Sequence, residues 1–119
     1  MEEGLAPIRK IREALGDKTE IAMEFYSFWN LPCAMKIAEA LVPFRPMWIE
    51  EILPQDNLAV YKTLAEHTSI PLWISERLIT RWGFRELMEN GGGSIVMPDV
   101  VWAGGISETR KIAQYAETY

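Results

Sequence analysis

Met47-Trp48-Ile49-Glu50, the helical run through Glu66, and Ile70-Pro71-Leu72-Trp73-Ile74-Ser75-Glu76 together decide the fold. Each apolar run is short and lacks polar alternation, so it reads as a strand buried on both faces. Between them Leu58, Tyr61, Leu64 and Ala65 recur at helical spacing, behind a cap at Asp56 or Asn57. A strand, a helix and a second strand within about thirty residues make a right-handed parallel crossover.

The same beat continues in both directions. Towards the N-terminus, Pro43 and Pro46 end a helix that begins at Pro32 and carries Met35, Ala38 and Leu41 on one face. Before it lies a strand within Thr19–Phe25, and before that a helix over Pro7–Leu15 stopped by Gly16. Towards the C-terminus, a helix over Thr80–Glu89 ends in a turn at Gly91-Gly92-Gly93, followed by a strand at Ser94–Met97. Ser107 is the expected cap of a last helix whose Ile112, Tyr115 and Ala116 face inward. The expected architecture is α/β, with four parallel strands separated by helices in one domain.

Composition fits that domain. The chain has 119 residues, 49% hydrophobic and 24% charged, enough to bury roughly two-thirds of its unfolded surface. Seventeen acidic against twelve basic residues give a net charge of −5, which argues against nucleic acid and anionic membranes as partners. The single cysteine, Cys33, excludes an internal disulfide and fits a reducing compartment. With a charged N-terminus and no long apolar run, a cytoplasmic protein is expected.

Every strand ends in a carboxylate: Glu24, Glu50, Glu76 and Asp99, at intervals of 26, 26 and 23 residues. The C-terminal ends of parallel strands lie on one face, where ligands gather. Neighbouring strands are about 4.8 Å apart, so successive carboxylates can converge on one ion. Crowded acids repel one another unless a cation neutralises them, and oxygen ligands without His or Cys favour a hard cation such as Mg²⁺. Acids in strand-to-helix loops also serve as helix caps, so spacing alone leaves both readings open.

Local motifs narrow the choice. Trp48-Ile49-Glu50-Glu51, Ser75-Glu76-Arg77-Leu78, Arg81-Trp82-Gly83-Phe84, Met97-Pro98-Asp99 and Ala103-Gly104-Gly105-Ile106-Ser107-Glu108-Thr109-Arg110 stand in the order of the enolase superfamily. The chain resembles its mandelate racemase/muconate lactonizing enzyme group, and most closely acid-sugar dehydratases such as the D-galactonate dehydratases. The resemblance runs from about Pro7 to Tyr119.

It implies part of a (β/α)₇β barrel and a lyase that acts on a sugar acid through Mg²⁺ and an enediolate, a pattern general to the superfamily. By motif match Glu24, Glu50 and Glu76 are the metal ligands. Asp99 matches the residue that orients a catalytic histidine on a later strand. Tyr26 stands where many of these dehydratases place a histidine that protonates the leaving hydroxyl, and a phenol (pKa about 10) is a poorer acid at neutral pH. Glu24 is one methylene longer than the usual Asp, Ser75 replaces a Gly, and Ile52 replaces the Pro of a Glu-Glu-Pro motif.

On this reading residues 1–119 are a single partial enolase-type barrel domain. The capping domain, a Lys-based catalytic motif and the seventh-strand histidine are expected to lie outside it. The chain alone is then expected to be inactive, or else to act as a non-catalytic half-barrel assembly or binding module. Two copies of four strands make the eight a barrel needs, so a homo-oligomer is the expected state.

The remaining candidates read as structural. His67 ends a helix away from the strand ends, and Cys33 lacks a histidine partner. Trp48 and Trp73 are expected in the core. Trp29, Trp82 and Trp102 are expected to line a pocket or contact, and Arg77 and Arg81 lie at the surface or offset the acidic strand ends.

Overall fold

Five helices alternate with four strands in the computed structural model, which describes residues 2–119. In chain order they are α1 (Glu2–Leu15), β1 (Ala22–Glu24), α2 (Leu31–Leu41), β2 (Trp48–Glu50), α3 (Ala59–His67), β3 (Leu72–Ile74), α4 (Thr80–Asn90), β4 (Ile95–Val96) and α5 (Ile106–Ala116). The strands pair in sequence order, β1-β2-β3-β4, and every pairing is parallel. Sequence order without a reversal is the winding of a barrel, not of a doubly wound sheet.

The strands are only two or three residues long, and their alternation sorts two faces. Ile49, Leu72 and Ile74 are buried towards the helices, in one core with Ile8, Leu41, Leu64, Phe84, Leu87 and Ile112. Trp48, Glu50 and Trp73 take the other face, half-buried. The two indoles meet there with ring centroids 4.3 Å apart, their planes tilted by 59°. The expectation that both tryptophans sit in the core is therefore corrected. They line the concave side of the sheet, which helices do not cover.

Helix boundaries show what ends each element. α1 begins at Glu2, five residues ahead of the expected Pro7, and accommodates Pro7 internally. The bond lost at Pro7 falls near the helix start, where Glu2 and Glu3 complement the positive end of the dipole. α2 starts as expected: Pro32 lies in its first turn and Asn30 Oδ1 accepts from the Cys33 N–H at 3.0 Å. Asn57 Oδ1 accepts from the Ala59 N–H at 3.2 Å, so Asn57 is the residue that holds the start of α3.

Ser107 is not the cap of α5. The helix begins one residue earlier, behind Gly105 at φ 90°, a conformation suited to glycine. The start of α4 has no cap from its own strand-to-helix loop. Glu108 of α5 supplies one: its Oε1 accepts from both the backbone N–H and Nε of Arg81, each at 2.9 Å. These bonds, with the Arg81 charge, hold the Glu108 carboxyl below its usual range. Its stabilising effect is thus present above the ordinary carboxylate pKa and fades as pH falls through the lowered value.

Candidate metal centre at the strand ends

The register of β1 on β2 sets Glu24 directly beside Glu50. Glu50 in turn pairs with Trp73, so Glu76 lies three residues beyond that level on the next strand. Ser75, at φ 124°, turns the chain before it. Glu24, Tyr26, Glu50, Glu76 and Asp99 all line one cavity of about 610 Å³, with Met97, Pro98, Val100 and Val101 on its β4 side. The strand ends thus bring all five candidate residues to a single mouth.

Each side chain is held differently. Glu24 Oε1 accepts from the Tyr26 N–H at 2.6 Å, and Glu50 Oε2 accepts from Trp48 Nε1 at 3.1 Å. Asp99 Oδ1 accepts from the N–H groups of Val101 and Trp102, both at 2.8 Å, and so fixes the turn into α5. Tyr26 is 63% exposed and has no bond through its hydroxyl among the described residues. Among the described residues no three of His, Cys, Asp and Glu stand together as a closed metal-binding group. Glu24 and Glu50 each spend one oxygen on a neighbour of their own strand.

The electrostatics are those of buried, crowded carboxylates. Burial, and then the Glu24 carboxyl against it, push Glu50 above the usual carboxylate range, although the Trp48 indole N–H opposes this. Burial also raises Glu51, with Gln55 opposing and Glu76 adding to the rise. A carboxyl raised by folding opposes the fold as it ionises, so this stability contribution is lost as pH rises through the raised values. A hard divalent ion would remove that penalty, and an all-oxygen donor set fits one. The carboxylates present therefore suit Mg²⁺ by chemistry.

Two residues to which the sequence motifs assign no role of their own organise the site. Ser75 is fully buried, and its Oγ accepts from the Met97 N–H at 2.8 Å, tying the end of β3 to the Pro98-Asp99 turn. A glycine at that position lacks this bond. Glu51 is 2% exposed and accepts from Gln55 Nε2, from the Glu76 N–H at 3.1 Å and from Ser27 Oγ at 3.4 Å. A carboxylate following another carboxylate at a strand end reads as surface charge, so only the packing reveals it.

The other candidates lie elsewhere. His67 Nε2 meets Glu39 Oε1 at 2.8 Å on the helical layer. Arg77 Nε stands 3.7 Å from Glu51 and partly offsets the acids, whereas Arg81 faces Glu108. Trp82 lines a groove between α4 and α5 with Arg81, Arg85 and Lys111.

The family model described as enolase C-terminal domain-like matches residues 1–119. The chain belongs to this family. Its sheet is accordingly part of a TIM-type barrel. A D-galactonate dehydratase from Ralstonia pickettii is 37% identical over 119 residues, which is all of this chain and 31% of that protein. An enolase of the mandelate racemase subgroup from Agrobacterium tumefaciens superposes with TM-score 0.95 at 44% identity, over 98% of this chain and 32% of its own. L-Talarate dehydratase from Polaromonas sp. JS666, solved with Mg and L-glucarate, gives TM-score 0.95 at 27% identity, over 98% of this chain and 33% of its own. The chain thus spans about a third of the length of these relatives. Its relatives include acid-sugar dehydratases of the enolase superfamily. Among the described residues no helix is long and apolar enough to cross a membrane.

Proposed function

We propose that this chain forms the metal-holding part of a Mg²⁺-dependent dehydratase acting on a sugar acid, a lyase. The observation that carries the reading is the pairing of Glu24 with Glu50 on a cavity shared with Glu76 and Asp99. The dehydratase relatives support the substrate class. Glu24, Glu50 and Glu76 would hold the ion. When bound, it would supply charge that stabilises the negative charge developing on the substrate carboxylate as the adjacent carbon loses its proton. Tyr26 lines the mouth and is exposed, and its phenol would be the group to orient or protonate a leaving hydroxyl. Asp99, fixed by two backbone N–H groups, presents a carboxylate of set direction to whatever base packs above it.

The test is calorimetric titration of Mg²⁺ into the native chain and into Glu50→Gln. Removing one charged ligand of three is expected to weaken binding at least about tenfold. Equal isotherms for the two proteins would overturn the assignment.

One observation favours a second reading, a non-catalytic module. Among the described residues neither Lys nor His lines the mouth. Such a module would act by self-association, with β1 of one copy pairing β4 of its partner and covering Trp48 and Trp73. β1 and β4 are the edges of the described sheet, and an edge strand offers its backbone groups to a partner strand. Sedimentation at micromolar concentration is then expected to show a dimer. A stable folded monomer would remove this reading.

A further inference from the structure

Strain is concentrated where the strands end. Among the described residues six non-glycine residues have positive φ, and four of them follow strand ends: Tyr26 at 53°, Ser27 at 62°, Glu51 at 42° and Ser75 at 124°. Such residues persist only where their surroundings over-determine them. One buried side chain touches the turns that follow the first three strands. The Glu51 carboxylate meets Ser27 Oγ after β1, Gln55 Nε2 after β2, and both the Glu76 N–H and Arg77 Nε after β3. Its backbone joins the same turns: the Ser27 N–H donates to the Glu51 carbonyl at 2.5 Å, and the Glu51 N–H donates to the Trp73 carbonyl at 3.0 Å.

A carboxylate 2% exposed would be costly here without those partners. With them it fixes the relative position of three strand ends whose own backbone is strained. Glu51 holds the amide of Glu76 itself, the carboxylate that the β2–β3 register leaves beyond the level of Glu24 and Glu50.

We propose that Glu51 is a positioning residue that sets Glu76 against Glu24 and Glu50 for a shared divalent cation. The inference rests on the metal reading above and adds a residue that would not itself touch the ion. Groups that orient metal ligands typically change affinity about 10–100-fold when lost.

The experiment uses the whole 119-residue chain with Mn²⁺ as an EPR-visible probe. Glu51→Met keeps the length of the side chain without the acceptor oxygens, and is expected to weaken Mn²⁺ binding about tenfold or more. Glu51→Gln keeps an acceptor for the Glu76 and Gln55 N–H groups, and should stay within about twofold of native. If Glu51→Met does not fold, Glu51→Asp takes its place, because it keeps the charge but draws the oxygens back from the Glu76 amide. Native affinity in a folded Met or Asp variant would overturn the proposal. Hydrogen exchange at the Glu76 amide supplies a reading independent of metal. Protection in the native chain, lost in the Met or Asp variant, is expected, and exchange at the free rate in the native chain would overturn the positioning claim. Mn²⁺ binding unchanged by Glu50→Gln would instead sink the metal assignment, while Glu76 protection still decides what Glu51 does.

Discussion

Tyr61→Ala is expected to remove a large share of the stability of this domain. Tyr61 is fully buried in α3, and its hydroxyl donates to the Leu53 carbonyl while accepting from the Leu53 N–H at 3.2 Å. Truncating a large buried aromatic costs about 3–5 kcal/mol through lost transfer and residual cavity. Two buried backbone groups of Leu53 would also lose their partner, at about 1–3 kcal/mol for each left unsatisfied. Domains of this size have about 5–15 kcal/mol in total, so the variant should be largely unfolded or close to it. The chain also packs tightly against the base of this side chain. A Cβ at Gly92 would sit 2.8 Å from the Tyr61 Cβ. Tyr61→Phe separates the two effects, keeping the ring and losing only the hydroxyl. Urea unfolding followed by circular dichroism should place it about 1–3 kcal/mol below native. A Phe variant as stable as native would show that the hydroxyl does not hold the loop that leads from Glu51 to α3.

That loop marks the boundary of what the sequence makes legible. Strand order, helix placement and the shared mouth follow from short apolar runs at a steady interval, because burial on two faces and a parallel crossover leave few topologies. Element ends are harder. Pro7 reads as a helix start, yet it is the sixth residue of α1, where the helix loses one internal bond to it and continues. Ser107 reads as a cap, but the positive φ of Gly105 lets the chain enter α5 two residues sooner. Trp48 and Trp73 read as core because hydrophobicity does not say which face of a strand the helices cover. Their register with Glu50 does. Within the site, residues that point into the cavity carry a spacing signal, whereas Glu51 and Ser75 act through backbone groups far along the chain. A hydrogen bond from Glu76 N–H to a carboxylate 25 positions earlier leaves no periodicity to read.

Supplied with Mg²⁺ and D-galactonate, the 119-residue chain alone is expected to form 2-keto-3-deoxy acid at a rate at least about 10²-fold below that of a full-length dehydratase relative. The mouth offers carboxylates and one phenol: Glu24, Glu50, Glu76, Asp99 and Tyr26. Carboxylates of this kind can hold an ion and crowd one another, but loss of a proton next to a substrate carboxylate needs a positioned base. A single general acid or base typically contributes 10²–10⁴-fold. The one histidine cannot serve, because His67 lies at the end of α3 against Glu39. Lys36 lines a separate cavity, between α1, β1 and α2. Metal binding and turnover should therefore come apart in this chain, with Mg²⁺ bound by Glu24, Glu50 and Glu76 and no measurable keto acid formed. Adding the native chain to a relative whose own proton-transfer residue has been replaced is not expected to restore activity, since no Lys or His among the described residues lines this mouth. Mg²⁺-dependent product formation by the purified chain, lost in Glu50→Gln, would refute the division and point to Tyr26 or Asp99 as a working acid–base group.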